Sequence, residues 1–174
     1  MEENKRTKIQ WERPKVTAQH GKETNMPKPR SGHTFTVVGT NGFLFGGLGY
    51  GKPAQPNNDM FMLKIGREME WVHIRLGDSA APMSRWRHSA ALVESTQVLV
   101  FGGFHSATSR LNDVWIFNTV TVDWWQPRAQ PPGFTPRGNH PPASWPNCPA
   151  PRGGHTSTLI GRNVYVFGGY GGFG

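Results

Sequence analysis

Apolar residues gather along this chain in short runs that end in a phenylalanine and a glycine pair. Residues 42–47 read GFLFGG, residues 98–103 VLVFGG and residues 164–169 VYVFGG. A run that is apolar at nearly every position, yet too short for a helix, predicts a strand covered on both faces. Ahead of each run stands a second matching element: PRSGHTFTVV at 29–38, SRWRHSAALV at 84–93 and PRGGHTSTLI at 151–160. After the first two comes a third, NNDMFMLKIGREMEWVHI at 57–74 and LNDVWIFNTVTVDWWQP at 111–127. In both of these an aspartate precedes a tryptophan at the same spacing, Asp59 to Trp71 and Asp113 to Trp125.

Each full unit therefore predicts four strands, at 33–38, 42–45, 60–65 and 70–74 in the first and at 88–93, 98–101, 114–118 and 122–126 in the second. The connections GTN at 39–41 and EST at 94–96 are short enough for hairpins, so each unit predicts an antiparallel meander. A sheet buried on both faces needs a neighbour above and below it. Repetition at intervals of this size indicates an array of such sheets.

The pattern of an arginine, a histidine three residues on, an apolar strand, Gly-Gly, an aspartate and a later tryptophan resembles the kelch repeat over residues 29–174. SRWRH at 84–88 departs from PRSGH and PRGGH without disturbing the period. The resemblance implies an all-β, kelch-type β-propeller of four-stranded antiparallel blades. Its parts would be a basic segment 1–28, blades 29–76 and 84–127, an incomplete blade 151–174 and a Pro-rich inter-blade loop 127–151. IQWERP at 9–14 reads as an outer strand, with Trp11 in the tryptophan position. Propellers close with at least four blades, so the expectation is the N-terminal part of a longer chain in which Trp11 completes the last blade.

In this reading the paired glycines leave room where a strand end meets the adjacent blade, and they supply positive φ for the exit turn. A tryptophan on the outer strand then covers the sheet next door. A phosphate-binding loop is a poor alternative, because the glycines lead to a strand and not to a helix start, and no Gly-Lys-Ser/Thr follows.

Composition agrees with strands and turns: 22 Gly and 15 Pro, with seven Trp and ten Phe to fill a core. The single Cys148 allows no internal disulfide, and MEENKRTKIQ lacks the apolar stretch of a secretory signal, which points to a cytosolic-type compartment. No apolar run is long enough to span a bilayer, so no membrane partner is expected. The formal charge of +8 suits acidic protein surfaces or nucleic acid, and Lys5, Arg6, Lys8, Arg13, Lys15, Lys22, Lys28 and Arg30 concentrate it near the start.

Meander topology sends the second-to-third and blade-to-blade connections to one face. The long segments 48–58, 75–87, 104–110 and 127–152 all belong there, which marks it as the binding side. Candidate partner-binding residues are Arg85, Trp86, Arg87, Phe104, His105, Arg110, Arg128, Phe134, Arg137 and Trp145, since arginines and aromatics make interface anchors. Arg30 and Arg152 sit at the repeat position and read as packing residues. His33, His88 and His155 recur at one repeat position, where an orienting hydrogen bond within the blade accounts for them. His20, His73, His105 and His140 lack metal-ligand spacing, and Cys148 lacks a spaced partner.

No cofactor or catalytic motif is found, including those of the copper-radical oxidases and iron-assisted specifier proteins among kelch propellers. The expected function is a non-enzymatic protein-interaction module or scaffold. The family resemblance implies settings such as cytoskeletal or axonemal scaffolds, ubiquitin-ligase adaptors, nuclear cofactors and propellers attached to phosphatase domains. Nucleic-acid binding through the basic segment and loop arginines is the alternative, though no recognition motif accompanies the charge.

Overall fold

The computed structural model describes residues 10–76, 81–127 and 148–171. Nearly all regular structure among them is β. The strands are β1 (Val16–Ala18), β2 (Arg30–Ser31), β3 (Thr34–Val38), β4 (Asn41–Phe45), β5 (Leu48–Gly49), β6 (Met60–Lys64) and β7 (Met69–Ile74). They continue with β8 (Ser89–Glu94), β9 (Gln97–Phe104), β10 (Arg110–Asn118), β11 (Asp123–Trp125), β12 (Gly153–Ile160) and β13 (Asn163–Tyr170). Among the described residues no helix is long and apolar enough to cross a membrane.

The first blade has the order β3-β4-β6-β7, antiparallel throughout, and the second β8-β9-β10-β11. β12 and β13 form an antiparallel pair that begins a third. Residues 10–14 form no strand, and Trp11 is 92% exposed, so the outer strand expected at 9–14 is not seen among its described residues. The chain pairs a little later instead: β1 lies parallel to β7 and adds a fifth strand to the first blade. Pro14 interrupts pairing next to residues 10–13, whereas Val16 and Thr17 are β-favouring residues beside an open strand edge.

The core lies between blades. Val38, Phe43, Phe45 and Met60 of the first blade meet Val98, Val100, Phe117 and Trp124 of the second in one buried cluster. Phe43 packs on Phe117 at 5.7 Å, and Phe45 on Trp124 at 4.8 Å. Burying a side chain of this size stabilises the stack by roughly 2–3 kcal/mol each. The covering tryptophan in the second blade is thus Trp124, while Trp125 is 42% exposed. Register explains the difference: Leu63 faces Trp71 and Phe117 faces Trp124, so Trp124 is the equivalent of Trp71. The β10–β11 turn is one residue shorter than the matched Asp–Trp spacing assumes.

The glycine pairs all have positive φ: 64° and 104° at Gly46-Gly47, 61° and 102° at Gly102-Gly103, and 73° and 86° at Gly168-Gly169. A Cβ on Gly46 would lie 2.8 Å from Arg85 O, and one on Gly102 would lie 2.9 Å from Arg152 O. The first glycine of each of these pairs therefore admits the following blade. The second fits against its own, since a Cβ on Gly103 would lie 2.8 Å from His88 Cβ.

Candidate interaction face

Two repeated backbone locks hold the bases of the long loops together. Gly47 N donates to Arg85 O (2.8 Å), and Arg85 N donates to Asn57 O (3.1 Å). The second seam repeats this, with Gly103 N donating to Arg152 O (2.8 Å) and Arg152 N to Leu111 O (3.1 Å). Nearer the first strands, Arg87 N donates to Gly32 O (2.7 Å) and Gly154 N to Arg87 O (2.8 Å), so one row of hydrogen bonds links all three blades. Gly32, Arg87 and Gly154 share positive φ, at 64°, 53° and 74°. Arg87 is the non-glycine member of that row, and its side chain is exposed.

The recurring arginines anchor this layer from beneath. Arg30, Arg85 and Arg152 each donate from Nε to the carbonyl two residues back and from Nη1 to the carbonyl of the first paired glycine. Arg85 also forms a bidentate pair with Asp113, both contacts at 2.8 Å, and Trp115 Nε1 donates to the same carboxylate. Arg30 reaches Asp59 through a single 3.2 Å contact and also bonds Asn57 Oδ1. Arg85 is 0% exposed, which corrects its place among the partner-binding candidates: it fills the repeat position and its charge is spent inside the blade.

The structure gathers several other candidates at one mouth. The backbones of Trp86 and Phe104 exchange hydrogen bonds, and their rings stack with centroids 5.4 Å apart. The Arg110 guanidinium lies 5.3 Å from the Phe104 centroid and 4.7 Å from that of Tyr170. Phe104 itself is 8% exposed, and a Cβ on Gly153 would collide with its ring, so it is a buried wall of the site and not a direct contact residue as expected. His105 is half-buried, with Nδ1 2.8 Å from Ser84 O. Arg128, Phe134, Arg137 and Trp145 lie outside the described residues. Tyr170 was not singled out from sequence, although the residue after each glycine pair, Leu48, Phe104 or Tyr170, carried the signal.

Two of the repeated histidines, His88 and His155, bond across seams, not within blades as expected. His88 Nε2 is 2.8 Å from Thr34 Oγ1 and its ring packs on Phe45. Burial, followed by the charges of Arg85, His155 and His33, pushes its pKa down to about 3. His155 packs on Phe101 with Nε2 3.2 Å from Phe101 O, and burial lowers it also. Burial, followed by the charge of Asp113, pushes the pKa of the half-buried Cys148 thiol up. A separate cavity of about 600 Å³ opens beside the first blade, lined in part by Tyr50, Asp59, Phe61, His73 and Arg75. No sequence pattern announced it.

Comparison with known proteins agrees with this architecture. The chain is 36% identical over 168 residues to the flagellar outer-arm dynein alpha chain of Chlamydomonas reinhardtii, a match covering 95% of this chain and 3% of that protein. It is 29% identical over 174 residues to host cell factor of Drosophila melanogaster, covering 92% of this chain and 10% of the relative. It is 32% identical over 127 residues to dynein regulatory complex subunit 7 of C. reinhardtii, covering 72% of this chain and 11% of that subunit. The chain thus spans a small part of the length of these relatives. The family model for the KLHDC2/KLHL20/DRC7 Kelch-repeats domain matches residues 4–140 and 56–174, and the chain belongs to that kelch-repeat family.

Proposed function

We propose that this chain is a non-enzymatic protein-interaction module whose partner docks on the long-loop face, around Trp86 and Arg87. The observation that supports the reading most is Arg87. It is an exposed arginine with φ of 53° in a row where the other two blades place glycine, and its backbone is bonded to both neighbours. Backbone strain held in place by surrounding structure is a feature of binding sites. The rigid base also lowers the ordering cost that a docking surface would otherwise incur.

The setting we propose is an axonemal assembly, on the ground that two of the relatives, both from C. reinhardtii, are named as a flagellar outer-arm dynein chain and a dynein regulatory complex subunit. The test is capture from an axonemal extract by the wild-type chain and by a Trp86→Ala/Arg87→Glu variant of unchanged β-rich circular dichroism. A defined axonemal protein retained by the wild type should be lost by the variant at least about tenfold, the range for removing an aromatic-arginine anchor. Equal capture by both would move the partner to the other face or the rim.

A further inference from the structure

Arg110 stands at a position where the repeat does not call for charge. Its bridge to Phe104 corresponds to the bridge between Leu48 and Pro56 in the first blade, so the equivalent residue there is a proline. Its guanidinium is flanked by two aromatic faces, Phe104 at 5.3 Å and the half-exposed Tyr170 at 4.7 Å. Among the described residues the buried Nε has no hydrogen-bond partner and Arg110 forms no ion pair. A merely structural clamp between blades would be made at less cost by an apolar side chain, because an unpaired buried donor is destabilising.

The surrounding charge points the same way. The described loop residues of this face carry Lys52, Arg75, Arg87 and Arg110 beside the packing arginines Arg85 and Arg152, and no carboxylate lies among them. At the loop bases, Asp59 and Asp113 are already paired with Arg30 and Arg85. A planar fork of donors held between rings matches a carboxylate in two-point contact, with little side-chain entropy left to lose.

We propose that Arg110, seated between Phe104 and Tyr170, receives a carboxylate from an acidic segment of the partner protein. The proposal rests on the reading of this face as the docking side. Its test uses fluorescence anisotropy with a fluorescein-labelled peptide carrying a run of glutamates and with the same peptide carrying glutamines. The glutamate peptide should bind and the glutamine peptide should not. Arg110→Gln and Tyr170→Leu should each weaken binding at least about tenfold, as expected for loss of a charge-assisted pair or of its ring support.

Thermal unfolding of Arg110→Gln accompanies the titration; if that variant does not fold, Tyr170→Leu, altered at a half-exposed ring, decides. Unchanged binding by Arg110→Gln, or equal binding of the two peptides, overturns the proposal. Loss with Trp86→Ala and Arg87→Glu but not with Arg110→Gln sinks the Arg110 seat while leaving the docking face intact. Indifference to all of these substitutions sinks the face as well. An oligothymidylate of matched charge that binds as tightly, through the same residues, overturns the acidic-protein assignment in favour of nucleic acid.

Discussion

His88 Nε2 lies 2.8 Å from the Thr34 hydroxyl, across the seam between the first two blades. The imidazole is neutral when folded, with a pKa near 3, against about 6.5 in an unfolded chain. Below about pH 6.5 the unfolded chain binds a proton that the folded chain refuses, so stability falls as pH drops toward 3. The total is on the order of 5 kcal/mol. His88→Gln should cost about 1–2 kcal/mol at pH 7.5 through the lost bond and packing, and that deficit should shrink or reverse by pH 4. Urea midpoints at the two pH values check this; a deficit independent of pH would contradict it.

The two arginine–aspartate pairs should differ sharply in worth. Asp113→Ala strands the fully buried Arg85 guanidinium and should cost about 3–5 kcal/mol. Asp59 makes one longer contact, its side chain is 40% exposed, and Arg30 keeps its bonds to Gly46 O and Asn57 Oδ1, so Asp59→Ala should cost less, about 1–2 kcal/mol. Chemical denaturation of both variants gives the comparison, and equal losses would show that the pairs carry the same load.

Adjacent tryptophans offer a test of register. Trp124 is buried against Phe45, Phe117 and Trp115, so Trp124→Ala should cost about 3–5 kcal/mol. Trp125→Ala, on the open side of the strand, should stay within about 1 kcal/mol. The reverse order in thermal melts would mean that β11 pairs one residue away from the register described.

Arg87→Gly separates scaffold from docking. Glycine adopts φ of 53° without the Cβ penalty, so the variant should be as stable as the wild type or up to about 1 kcal/mol more stable. Partner capture should fall nonetheless. A variant that is stabilised and still captures fully would show that the side chain takes no part in docking.

Most strand positions were readable because apolar runs and tight turns are local features. Strands expected at 60–65 and 70–74 formed as Met60–Lys64 and Met69–Ile74, within a residue at each end. Relations across space were harder to read. Arg85 looked like an interface anchor because its neighbours Trp86 and Arg87 are unusual, while its carboxylate partner lies far along the chain at Asp113. The Trp124–Trp125 choice turned on the length of one turn, and the parallel addition of β1 depended on an open edge supplied by β7. The three-layer arrangement at Arg110 required Tyr170, brought in from a different blade.

At both seams the first paired glycine presses on the backbone of the next blade, Gly46 on Arg85 and Gly102 on Arg152. A substitution there is felt by the neighbour's loop base before it disturbs its own sheet. Drift in the scaffold is thereby confined, because each blade polices the one that follows it, whereas loop tips beyond the locked bases are free to vary. New binding preferences can then be acquired at the tips while the arc beneath them is inherited unaltered.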